Sequence, residues 1–170
     1  MFVGIAMARG YHRELGATSI MLVGLIFLSL LTDVLHLDEL LRALLQSPPP
    51  DDMSARDSAN MILMLTYQLI FLSITFAGYS GRVLAWEGTP LKGMARAGLN
   101  VVVGLINGWL VAGTLWYYMD RFEYPVSETI VRLPLTPFAQ EAVKYLPPAV
   151  LSFTSLIIIL VVLLIVRVRQ

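Results

Sequence analysis

The chain has 170 residues, 57% of them apolar and only 14% charged, with equal numbers of basic and acidic side chains and no cysteine. Soluble domains carry about 25% charged residues, so this deficit, with a mean hydropathy of +0.73, places most of the chain in lipid. Zero net charge argues against a nucleic-acid partner, and the lack of cysteine excludes disulfides, thiolate metal sites and cysteine nucleophiles.

Met1–Ala8 is apolar but too short to span, and reads as an interfacial cap or the remnant of a longer helix. After the polar stretch Arg9–Glu14 comes the first long apolar run, Gly16–Thr32. It is long for the core of a signal peptide and leads into Asp33-Val34-Leu35-His36, not a small-residue cleavage site, so a retained helix is expected. Beyond Asp33, Leu37, Leu40, Leu41, Leu44 and Leu45 recur at helical spacing opposite Asp38, Glu39 and Arg42. That pattern suits an amphipathic helix lying on the membrane surface. Ser47-Pro48-Pro49-Pro50 ends it, because proline lacks the donor and clashes with the preceding turn.

Asp51–Ala59 reads as a polar loop, with Asp57 or Ser58 as N-cap of the next helix. The second apolar run is Met61–Ser80, followed by a connection, Arg82–Arg96, with a turn at Gly88-Thr89-Pro90 and interfacial side chains at Val83, Leu84 and Trp86. The third run is Gly98–Met119, where Trp116, Tyr117 and Tyr118 suit the headgroup level. Asp120–Thr136 is a loop with an extended piece expected at Thr129–Leu133. Thr136-Pro137 is an N-cap and N1 pair opening a short helix to about Tyr145. Pro147-Pro148 breaks it before the last run, Ala149–Val166.

None of the four runs contains a charge, and each is about long enough to cross a roughly 30 Å hydrocarbon core at 1.5 Å per residue. The expected fold is an all-α integral membrane four-helix bundle with short interfacial amphipathic helices. It is a single transmembrane domain over 1–170, with spans near 16–33, 60–80, 97–119 and 148–167. Four spans put both termini on one side. That side holds Arg9, Arg13, Arg82, Lys92, Arg96, Arg167 and Arg169, against Arg42, Arg56, Arg121, Arg132 and Lys144 on the other. The positive-inside rule then favours N-in, C-in.

In the third run Gly104, Gly108 and Ala112 recur every four residues, spacing that lets a neighbouring backbone come close. Asn100 and Asn107 lie near the same face, and Gln68 is the most polar group near the middle of the second run. Two readings stay open: tight helix packing, or a polar seam lining a solute path. No ionisable side chain lies mid-span, which counts against an autonomous active transporter. His12 and His36, the only histidines, flank the first span and are too far apart to share one haem. The acidic residues Asp33, Asp38, Glu39, Asp51 and Asp52 read as a solvated face. With no HExxH, GxSxG or P-loop, no catalytic residue, metal site or cofactor is expected, and the protein reads as a non-enzyme.

Arg9-Gly10-Tyr11-His12-Arg13-Glu14-Leu15 before an apolar helix resembles the colicin V production protein (CvpA) family, which has an RGF-x-RE segment there. Arg9, Gly10, Arg13 and Glu14 match it, with Tyr11 as the aromatic. A second similarity lies at Arg96–Gly108, where the family has a helix with a basic residue and a GxxxG pair. The resemblance covers about Met1–Asp120; the family's first helix is reduced here to Met1–Ala8, and the last helix lies outside it. It implies a multi-pass bacterial inner-membrane protein of envelope homeostasis or small-solute export, with no catalytic residue to carry over. Small size, small-residue faces and surface helices fit a second expectation, an accessory structural subunit of a large photosynthetic or respiratory complex. On either reading the partners are the lipid bilayer and other membrane subunits or further copies of the chain. The Arg9, Arg13 and Glu14 group is expected at the inner mouth of the first span, either binding headgroups or paired with Arg96 or Glu87.

Overall fold

A computed structural model describes residues 1–45, 53–80, 92–125 and 135–168. Within them every regular element is helical: α1 (Phe2–Arg9), α2 (Tyr11–Ser29), α3 (Leu37–Leu45), α4 (Met53–Ser80), α5 (Gly93–Arg121), α6 (Pro137–Val143), α7 (Pro147–Val150) and α8 (Phe153–Val168). The expected turn at Gly88-Thr89-Pro90 and the extended piece at Thr129–Leu133 lie outside the described residues.

The chain reverses at Gly10, where α1 ends and α2 begins. Gly10 has φ 82 and ψ 149, a conformation open essentially to glycine alone. α2 then runs in the same direction as α5, since Tyr11 meets Asn100 and Thr18 meets Asn107. It ends in a π turn, Leu30–Val34, closed by a bond from Leu35 N to Leu30 O at 3.1 Å. His36, at φ 46, separates that turn from α3.

α2 is the central helix, packed against α1, α4, α5 and α8. Accordingly 56% of its most apolar stretch is buried, against 44% for α5 and 28% for α4. Met21, Leu22, Leu25 and Leu28 of α2 meet Leu63, Met64, Tyr67 and Phe71 of α4 and Leu110 and Tyr118 of α5. Tyr67 stacks on Tyr118 with ring centroids 4.9 Å apart, and Phe122 packs beside both.

Three helices are long and apolar enough to cross a membrane: Tyr11–Val34, Arg56–Ser80 and Gly93–Arg121. The fourth expected span is cut short. Pro147 opens a separate four-residue turn, α7, and Leu151 is extended, so α8 starts at Phe153 and not near 148. Its 16 residues reach only about 24 Å. The second span is longer than expected. Residues assigned to a polar loop are helical from Met53, because charged side chains face outward while Ala59 and Asn60 are buried. Arg56 there forms a two-pronged ion pair with Glu123, both contacts at 2.9 Å. α5 likewise starts at Gly93, ahead of 97. The expected amphipathic helix is α3, and Thr136 accepts from Ala139 N as the N-cap of α6.

Candidate functional site: a buried carboxylate between four helices

α1 fills the small-residue face of α5. A Cβ on Gly104 would lie 2.7 Å from the Val3 Cα, and one on Gly108 would meet the Phe2 ring at 3.3 Å. Ala112 is exposed and takes no part. Each four-residue step on a helix rotates by about 40°, so Ala112 has turned away from Gly104, and α1 reaches only as far as Phe2. The close contact further along α5 is at Gly113, against Pro147.

This packing brings Glu14 into the interior, where it is fully buried. Its Oε2 accepts from the Tyr79 hydroxyl at 2.9 Å and from Asn107 Nδ2 at 3.0 Å. Its Oε1 faces Arg9 Nη1 at 3.5 Å and has no hydrogen bond. Asn107 also reaches the Glu14 carbonyl and the Tyr79 hydroxyl, each at 3.3 Å. The Thr18 hydroxyl shares its proton between Asn107 Oδ1 at 2.6 Å and the Glu14 carbonyl at 2.9 Å. Four helices therefore contribute: Arg9 from α1, Glu14 and Thr18 from α2, Tyr79 from α4 and Asn107 from α5.

Two helix ends are satisfied by the same group of residues. Arg9 Nη2 donates to the Tyr79 carbonyl in the last turn of α4 at 3.1 Å, with its guanidinium 4.9 Å from that ring. Helix C-termini leave such carbonyls open and favour positive charge. At the start of α2, Gly10 offers no capping side chain, and Asn100 Oδ1 accepts from the Tyr11 N–H at 2.7 Å.

The residues singled out from the sequence thus divide. Arg9, Gly10, Glu14, Asn100, Gly104, Asn107 and Gly108 come together around α1. Arg13 is exposed, and so is Arg96. The expected pairing with Arg96 is replaced by one inside the motif, Arg9 to Glu14; Glu87 lies outside the described residues. Gln68 lies apart and donates to the Leu115 carbonyl at 3.0 Å. Among the described residues, the Gln68, Asn100 and Asn107 side chains are each bonded to protein, and the two asparagines are buried. Tyr79 and Thr18 escaped sequence reading, because a tyrosine near a span's end resembles a headgroup anchor and a helical threonine is unremarkable.

Among the described residues no group of acidic and histidine side chains is arranged for a metal ion. The carboxylate has donors on one oxygen and a counter-charge on the other, an arrangement that locks four elements in one register. The chain matches no family model, no curated protein and no solved structure.

Proposed function

We propose that this chain is a non-catalytic, multi-pass inner-membrane protein of the CvpA type, serving envelope homeostasis or small-solute export and working as an assembly. One observation supports the reading most. The two segments that carry the resemblance, Arg9–Leu15 and Arg96–Gly108, are far apart in sequence yet meet at Glu14, Asn100 and Asn107. Short motifs that converge on one buried charge fit a shared architecture better than chance likeness. Gln68, Asn100 and Asn107 are each spent on protein partners, so a solute route along them would need a second copy or a partner.

The rival reading, an accessory subunit of a larger complex, is favoured by α8. It docks on α2 alone among the helices with more than marginal contact, and only Leu156 of its side chains is buried. Purification in mild detergent with native sizing separates the two. A small homo-oligomer, together with loss of envelope-stress resistance in a deletion strain restored by the wild type but not by Glu14→Gln, supports the first. A stoichiometric set of other subunits replaces it with the second.

A further inference from the structure

We propose that the Gly10 end of the bundle is a docking surface for anionic phospholipid headgroups, built on the exposed cations Arg13, Lys92 and Arg96. α2 and α5 run in the same direction, so the spans Tyr11–Val34 and Gly93–Arg121 both begin at this end. Arg13 and Arg96 stand in the first turn of their spans, and Lys92 directly precedes the second. That is the depth of the headgroup phosphates, where a long cationic side chain keeps its stem in the apolar layer and its charge among the headgroups. The surface is the same whether the chain works alone or as a subunit.

The fold does not use these cations. Among the described residues Arg13, Lys92 and Arg96 are exposed and form no ion pair. The neighbouring Arg9 is spent, since it faces Glu14 at 3.5 Å and donates to the Tyr79 carbonyl at 3.1 Å. Glu14, the acidic residue among those described at this end, is buried behind that pair. The opposite end is built differently. Arg56 pairs with Glu123, Arg121 with Asp38 and Lys144 with Glu141, while Arg42 lies over the Phe122 ring. One end of the bundle thus answers its positive charge internally, and the other presents it outward.

Geometry and neighbours point to a lipid. Arg96 Nη2 is 4.0 Å from the position a Gly10 Cβ would take, so its guanidinium reaches from α5 across to the corner between α1 and α2. A guanidinium placed there offers its donors to a phosphate in the two-pronged geometry that arginine favours. Apolar side chains stand at the same end. Met94, between Lys92 and Arg96 in the chain, is 92% exposed, and Met7, just ahead of Gly10, is 50% exposed. Cations at headgroup depth with apolar side chains beside them fit an amphiphile, whereas a free inorganic anion has no use for the methionines.

The test is native mass spectrometry of the purified full chain, released from neutral detergent containing equimolar phosphatidylglycerol and phosphatidylcholine. Both lipids carry a phosphate and two acyl chains, and they differ in net charge. The wild type is expected to retain phosphatidylglycerol in preference. Arg13→Gln, Lys92→Gln and Arg96→Gln should each lower that preference about fivefold, and Lys144→Gln, at the opposite end, should leave it unchanged. The three side chains are exposed, so the variants should keep the wild-type unfolding midpoint in phosphatidylcholine alone. Equal retention of the two lipids by the wild type overturns the proposal, as does a preference that survives the triple substitution. Loss of the preference to millimolar inorganic phosphate also overturns it, assigning a free-anion site in place of a lipid surface.

Discussion

Glu14 is the residue on which the helix contacts turn. A buried ion pair is not in itself strongly stabilising, but removing one partner leaves a charge in a low-dielectric interior. Arg9→Ala should therefore lower stability by about 3 kcal/mol, read as a shifted unfolding midpoint in detergent. Replacing both partners, Arg9→Met with Glu14→Leu, should recover most of that loss, because no unpaired charge remains. If the double variant is as unstable as the single one, the pair is not what Arg9 contributes. Asn107→Leu takes one of two donors from the buried Glu14 Oε2 and one acceptor from Thr18 and should cost about 1–2 kcal/mol. Arg13→Ala, by contrast, should change stability little, since that side chain is exposed.

Among the elements, α1 shows how a helix of eight residues is held in place by its neighbour's shape. Gly104 meets backbone, whereas Gly108 meets the movable ring of Phe2. Gly104→Ala should thus destabilise by about 1–3 kcal/mol and free α1 for limited proteolysis. Gly108→Ala should be milder and Ala112→Leu near neutral. Equal effects at all three positions would contradict the rotation of this face away from α1. Gly113→Ala should act elsewhere, displacing Pro147 and with it the entry to α8. Repetition of small residues is visible in sequence; which members of the repeat are used depends on where the partner helix ends.

For the molecule as a whole, the cysteine-free sequence allows a direct test of the proposed orientation. Single cysteines at Arg13 and Arg167 should react with a membrane-impermeant maleimide only after permeabilisation, and one at Glu141 should react from outside in intact cells. Labelling of Arg167 and Glu141 from the same side would mean that α8, only 16 residues long, does not cross.

The apolar runs, the surface helix α3 and the Thr136-Pro137 start of α6 were legible in the sequence, because hydropathy and capping are local properties read from neighbouring residues. The start of α8 was less so: Pro147-Pro148 announces a break, but the extended Leu151 that moves it to Phe153 depends on Pro147 seating against Gly113. The sequence by itself determined that this is a helical chain with runs long and apolar enough to cross a membrane, with Arg9 and Glu14 five residues apart and a polar Asn107 mid-helix. Only the tertiary structure decided that Glu14 is buried, that Tyr79 and Asn107 are its donors and that α1 seats on Gly104. Those facts depend on the relative register and rotation of separate helices, which are set by packing contacts between residues remote in the chain and leave no local trace in composition or period.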